Sequence, residues 1–225
     1  QAAYDRVYKE MGLDQPIYEQ YYRYLGELSR GDLGTSIMTS QPVLEDIKRF
    51  FPATLELSTI ATLIGILLGV PMGVLAAVNQ GRLIDHFVRI FGLIGYSVPV
   101  FWLGMVGLPV FYGKLDWVAG PGRIDVYYDG IVETVTGFIL IDAAIAGEWD
   151  IFHNAVSHLI LPSLLLGSFA LAYIARMTRS FMLDQLNQEY ILTARVKGAS
   201  ETSVIWRHAF RNVLVQLITI IGLTY

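Results

Sequence analysis

The sequence predicts an all-α, polytopic membrane helix bundle, and three observations carry that prediction. Apolar residues make up 54% of the 225-residue chain, charged residues only 16%, and the mean hydropathy is +0.48. Soluble domains average roughly 25% charged residues. Long apolar stretches run over 55–78, 87–112 and 155–178, each near the roughly 20 residues that a spanning helix needs, and a further one begins near Val213. Lysine and arginine are unevenly shared between the connecting segments. The 176–211 segment holds Arg176, Arg179, Arg195, Lys197, Arg207 and Arg211 against Asp184, Glu189 and Glu201. The 79–89 turn holds Arg82 and Arg89 against Asp85. The 113–153 loop holds Lys114 and Arg123 against Asp116, Asp125, Asp129, Glu133, Asp142, Glu148 and Asp150. Basic segments stay in the cytoplasm, so the 79–89 turn and 176–211 are expected inside and the acidic loop outside.

Residues 1–50 are polar and rich in tyrosine. Pro16 suits a helix start and Gly31 a helix end, with Ile17, Tyr21, Leu25 and Leu28 on one stripe. Tyr18, Tyr21, Tyr22 and Tyr24 suit a water–lipid boundary, or else the core of a small helical cap. Alternation across the spans places this segment outside and calls for another span before Gln1. The start at Gln1 and the short apolar run ending at Tyr225 read as a chain incomplete at both ends.

The first span, Leu55–Val78, carries Ala61, Gly65, Gly69, Gly73 and Ala77 at four-residue spacing. Small residues so placed let another helix approach closely, so helix packing is the expected role, with path lining as the alternative. Pro71 should kink the helix near its inner end. Asn79–His86 reads as a polar turn. The second span, Phe87–Tyr112, contains Gly92, Gly95, Gly104 and Gly107 and is broken by Pro99 and Pro109. A proline in mid-span frees a carbonyl that protein or water must satisfy, which favours the bundle interior. In the loop Lys114–Asn154, the apolar run Ile131–Ala146 is interrupted by Glu133 and Asp142, and reads as a surface or re-entrant helix. The third span, Ala155–Thr178, contains Pro162, and His158 near its start is expected to be an interfacial hydrogen-bonder rather than part of a path.

The segment Glu189–Leu214 is the most informative. Leu183, Leu186, Tyr190 and Ala194 give an apolar stripe to a first helix, and Gly198 suits a left-handed helix end. Ser200 can cap a second helix with Glu201 near its positive end, and Val204, Ile205 and His208 continue the helical spacing. Arg195, Lys197, Arg207 and Arg211 ring the hinge. Three roles fit: a basic loop that anchors topology, a DNA-binding helix-turn-helix, or a docking surface for a soluble cytoplasmic partner. Membrane tethers on both sides argue against a duplex.

This segment resembles the cytoplasmic EAA loop of ABC importer permeases in the peptide and nickel branch. The family run is similar to Y-x-x-T-A-R-A-K-G followed by R-H-A-x-R-N. Here stand Tyr190, Thr193, Ala194, Arg195, Lys197 and Gly198, then Arg207, His208, Ala209, Arg211 and Asn212. The Glu-Ala-Ala positions are Leu192, Thr193 and Ala194, so the acidic residue is missing and no ion pair is carried over from it. Phe51–Leu57 resembles the family's P-A-T-L-E-L, and Tyr96–Gly104 its S-I-P-x-F-W-L-G. Residues 12–36 resemble the extracytoplasmic segment that follows the first family helix.

The resemblance implies an extracytoplasmic helical segment over 1–50 and an incomplete permease domain over 51–225, with a cytoplasmic coupling loop at 180–211. It implies an ATP-driven importer of short peptides in the inner, cytoplasmic membrane. Glu189, Tyr190, Thr193, Ala194, Arg195, Lys197, Gly198, Ala199 and His208 would dock on a separate ATP-binding subunit. The expected partners are a second related permease, two ATP-binding subunits, an extracytoplasmic solute-binding protein and membrane lipid, with no nucleic acid. Nickel or another small solute is the alternative cargo, and an ion-gradient-driven transporter the rival class.

Catalytic chemistry finds no support. There is no cysteine. Lys9, Lys48, Lys114 and Lys197 are followed by Glu, Arg, Leu and Gly, so none completes a P-loop. No H-E-x-x-H or G-x-S-x-G occurs. A non-catalytic subunit with no cofactor and no metal of its own is expected.

Overall fold

The computed structural model describes residues 15–225, so the first part of the expected 1–50 segment, including Lys9, lies outside the described residues. The chain forms two compact units, Gln1–Pro52 and Ala53–Tyr225. In the first, helix α1 (Ile17–Ser29) starts after Pro16 and ends before Gly31, whose φ is +83°. No α1 residue is buried, so its tyrosines form no core among the described residues. A bridge between Thr35 and Pro42 closes the following loop. Pro42 then precedes helix α2, Val43–Val78, which has Glu45 and Asp46 in its first turn.

The α2 helix thus begins well before the expected Leu55, because hydropathy reports membrane depth and not where a helix starts. It also runs unbroken through Pro71. After a turn confined to 79–82, helix α3 spans Leu83–Ser97 and α4 spans Val100–Leu108. The polar turn is therefore shorter than Asn79–His86. Val98, extended at ψ 123° as a residue before proline tends to be, and Pro99 separate the two helices. Together α3 and the stretch through Lys114 bend by 87°, so this is no straight span. Pro109 does not break it, because a π-helical turn over Pro109–Lys114 absorbs the missing donor.

The long loop contains a short turn at Val126–Tyr128 and helix α5, Ile139–Ala146, which Gly147 ends at φ +74°. Helix α5 covers only the end of the expected 131–146 run. Helix α6, Trp149–Leu186, begins inside what read as loop and passes through Pro162 without interruption. Helix α7 is Glu189–Val196, and α8 runs Glu201–Thr224 with a π-helical stretch at Val204–Phe210. Among the described residues, α2, α6 and α8 are long and apolar enough to cross a membrane, and the bent α3–α4 pair could add a fourth span.

Helix α6 is the central post. A Cβ added at Gly65 would lie 2.7 Å from Ala170 Cβ, at Gly69 3.0 Å from Leu171 O, and at Gly73 2.5 Å from Thr178 Cβ. Real Cβ atoms do not approach as closely as at Gly65 and Gly73, and the Gly69 contact is tight, so glycine lets α6 come close along this seam. Ala61 and Ala77 are buried on the same face, and Gly167 of α6 meets the Ala61 carbonyl in return.

At the end of the seam nearest the long loop, charges replace small residues. The buried Glu56 carboxylate accepts from Arg123 Nη2 and from the Leu140 amide, both at 3.0 Å. Arg123 also donates to the Gly137 carbonyl at 3.0 Å. Asp125 and Asn154 exchange two hydrogen bonds, at 2.9 and 2.6 Å. His158 is buried beneath them, with Nδ1 2.9 Å from the Asn154 carbonyl and Nε2 3.6 Å from Asp125. Asp142 is buried too and accepts from the Thr136 amide, the Thr136 hydroxyl and the Gly137 amide at 2.8, 2.7 and 3.0 Å. Burial opposes ionisation of Asp142, yet these hydrogen bonds outweigh it and hold the carboxyl below the ordinary aspartate value.

Candidate coupling site

The segment after α6 turns on two local breaks. Asn187 closes α6 through its amide to the Leu183 carbonyl, and extended Gln188, at ψ 149°, opens α7. The stripe of Leu183, Leu186, Tyr190 and Ala194 therefore spans two helices, not one. Leu183, Leu186 and Ala194 still pack on one buried cluster. The second break is Gly198, at φ +82°, with nothing within 4 Å of where a Cβ would stand. Glycine is favoured there by backbone conformation alone. Ser200 follows as N-cap, its hydroxyl accepting from the Ser203 amide at 3.4 Å.

The second helix is the start of α8 and continues into the last apolar run, so it is not short. The π-helical stretch shifts its register. Val204 and Ala209, five residues apart, are both fully buried, followed by Val213 and Leu217. Helical spacing puts His208 on that face; the extra residue in the π turn gives the place to Ala209, and His208 is only half-buried.

The hairpin has two unlike faces. Ile191, Val204, Ala209 and Val213 join Met182 of α6 and Val74 and Ala77 of α2 in one apolar cluster. This fastens the hairpin to the bundle where the glycine seam ends. Tyr190 secures the rim: its hydroxyl donates to Gln185 Oε1 at 2.7 Å and accepts from Asn212 Nδ2 at 2.9 Å. The other face is open. Leu192 is 63% exposed and Val196 80%, and Thr193, Arg195, Lys197 and Gly198 are exposed beside them. Glu189 is exposed as well, in the first turn of α7, and Ala199 packs on the apolar cluster. Arg195 and Glu201 form a two-point ion pair across the glycine turn, at 2.8 and 3.1 Å. An exposed apolar pair on a short helix, ringed by cations and held by a rigid base, can bind a soluble protein.

The family profile described as the binding-protein-dependent transport system inner membrane component matches residues 69–225. That stretch takes in the Gly69–Ala77 end of the seam, the bend at Pro99 and the whole hairpin.

The chain belongs to this family.

It is a multi-pass membrane protein of the ABC permease type. It is similar, at 46% identity over 222 residues, to a probable D,D-dipeptide transport system permease protein of Escherichia coli K12. That match covers 99% of this chain and 65% of the relative. A di/tripeptide transport system permease protein of Pseudomonas aeruginosa UCBPP-PA14 is 46% identical over 213 residues, covering 95% of this chain and 63% of the relative. An oligopeptide transport system permease protein of Bacillus subtilis 168 is 37% identical over 224 residues, 99% of this chain and 65% of the relative. The chain spans just under two thirds of the length of these relatives.

The paired charges were not foreseeable from the sequence. Asp85, Arg179 and Glu56 were legible as charges near span ends and Arg123 as a cation of the acidic loop, but nothing in their spacing showed which would meet. Glu201 was legible as a helix N-terminal acid, while its pairing with Arg195 depends on the turn at Gly198.

Proposed function

We propose that this chain is a non-catalytic permease subunit of an ATP-driven importer. It forms part of a membrane path for short peptides, and the 189–208 hairpin docks on a separate ATP-binding subunit. The observation that carries this is the two-faced hairpin: an apolar face fixed to α2 and α6, and an exposed face offering Leu192, Val196 and Lys197. The relatives named for dipeptides, tripeptides and oligopeptides favour peptides over nickel as cargo. The partners would be a second related permease, two ATP-binding subunits and an extracytoplasmic solute-binding protein, assembled in the inner membrane. The chain would need no cofactor or metal of its own. With Leu192 exposed at the expected acidic position and Arg195 already paired to Glu201, docking would rest on apolar contact and on Lys197 rather than on an acidic anchor.

Purification of the full-length protein from mild detergent tests this, scored for an associated ATPase and for uptake of labelled alanyl-alanine after reconstitution. A co-purifying ATPase and ATP-dependent uptake are expected. Uptake driven by an ion gradient without ATP would refute the proposal.

A further inference from the structure

The turn 79–82 and helix α3 are fastened to α6 at successive levels. Asp85 is only 1% exposed, and its carboxylate accepts from Arg179 Nε at 2.5 Å and Arg179 Nη2 at 2.9 Å. The same carboxylate accepts from the Gly81 amide at 2.9 Å, so it also closes the turn. Further along α3, the Tyr96 ring stacks on Phe169 at 4.9 Å. The Arg176 guanidinium lies 5.2 Å from the Tyr96 ring and 5.6 Å from Tyr173. Between these levels, a Cβ at Gly95 would lie 3.2 Å from Ala172 Cβ. Immediately beyond Ser97 the chain bends, and α6 in the other direction leads into the coupling hairpin.

We infer that the Asp85–Arg179 pair is a transmission pin, holding α3 to α6 so that displacement of the coupling hairpin is delivered to the bend at Val98–Pro99. An apolar contact would tolerate sliding by part of a turn. A two-point guanidinium–carboxylate pair does not, because it fixes position and orientation together. Any slip would leave a buried carboxylate uncompensated. The position suits transmission: Arg179 is on the stretch of α6 that leads to α7, and Asp85 is in the first turn of α3. The fixed α3 then ends at Pro99, which lacks the backbone donor that would carry α3 straight on. Motion carried by α3 is taken up there.

The inference rests on the proposed coupling role of the hairpin, and the absence of native cysteine in the sequence makes it testable by cross-linking. Disulfides place Cβ atoms about 3.5–4.5 Å apart, so Gly95→Cys with Ala172→Cys needs only a small adjustment. The full-length complex is reconstituted with its ATPase, and labelled alanyl-alanine uptake and ATP hydrolysis are read for each variant, reduced and oxidised. Absence of uptake and hydrolysis in the parent complex would strike the coupling proposal itself, whereas failure of the pin shows only in the variants. Oxidised Gly95→Cys/Ala172→Cys is expected to transport at the reduced rate, since α3 and α6 move together. Asp85→Asn is expected to lose roughly tenfold in uptake per ATP hydrolysed, within the range of about 5–150-fold typical of coupling between sites. The oxidised cross-link in the Asp85→Asn background should restore most of that loss. Arrest of the parent by the cross-link would overturn the inference, because α3 would then have to slide on α6. Parent-like coupling in Asp85→Asn, or failure of the cross-link to rescue it, would overturn it as well. The cross-link in the parent background decides the question even if Asp85→Asn does not fold.

Discussion

Gly73 and Thr178 define the tightest point between α2 and α6: a Cβ on Gly73 would fall 2.5 Å from Thr178 Cβ and 2.6 Å from the Ala175 carbonyl. Gly73→Ala should therefore destabilise the protein by about 1–3 kcal/mol, the usual range for overpacking. Gly222→Ala, with nothing within 4 Å, should stay within about 0.5 kcal/mol. The Thr178 hydroxyl is buried with no hydrogen-bond partner among the described residues. Thr178→Val keeps the shape and removes that group, so it should be neutral or stabilising by about 1 kcal/mol. Thermal unfolding in detergent orders the three, and a Gly73→Ala midpoint equal to that of Gly222→Ala would contradict the seam.

The Glu56–Arg123 pair is unequal, and its two halves should fail unequally. The Glu56 side chain is 6% exposed and Arg123 39%. Arg123→Ala leaves a buried carboxylate with the Leu140 amide as its remaining described donor, whereas Glu56→Ala leaves a cation that water can reach. Arg123→Ala should be the worse variant by about 1–3 kcal/mol. Limited proteolysis of the 115–138 loop measures this, and equal or reversed sensitivity would contradict it.

Asp142 gives the same loop its pH dependence. Its carboxyl is held below the ordinary aspartate value in the folded protein. The stability it contributes is full above the unfolded value of about 3.9, and is lost only as pH falls through the depressed folded value. Hydrogen-exchange protection at 136–142, corrected for intrinsic rate, should hold steady between about pH 7 and 5 and drop only below the ordinary aspartate value of about 3.9. Loss of protection already between pH 6 and 5 would show that the hydrogen bonds from Thr136 and Gly137 do not stabilise the ionised form.

Charge distribution predicts sidedness, and the structure supplies suitable reporters. Val126 is 91% exposed in the acidic loop and Val196 80% exposed on α7. With no cysteine among these 225 residues, Val126→Cys should react with an impermeant thiol reagent in intact cells where the parent does not. Val196→Cys should react only after lysis. The reverse order would overturn the orientation argument.

Particular residues show what the sequence could and could not disclose. The glycine seam was legible because four-residue spacing on an apolar helix constrains one face. The turn at Gly198 and the Ser200 cap were legible because backbone preference is local. The break at Asn187–Gln188 was not, since an apolar stripe continues across it. The π turn at Val204–Phe210 was missed because one extra residue leaves composition unchanged while moving Ala209 into the core. The start of α2 at Val43 and of α6 at Trp149 lay hidden because hydropathy marks apolar length and not helix length. Pairings such as Asp85 with Arg179 depend on tertiary contact, which one sequence does not encode in any spacing.

The proposed docking of the hairpin on an ATPase turns on the geometry at Gly198. At its φ of +82° a side chain strains the backbone, while its Cβ would meet no described atom within 4 Å. Gly198→Val should cost about 1–3 kcal/mol locally while the membrane helices insert normally, and Gly198→Asn should be milder because asparagine tolerates positive φ. Peptide uptake and ATP hydrolysis are measured in the reconstituted complex at matched expression. Gly198→Val is expected to lose uptake, with weakened ATPase association or lost substrate-stimulated hydrolysis, and Gly198→Asn to retain part of each. Parent-level uptake and hydrolysis in Gly198→Val would contradict the proposed docking.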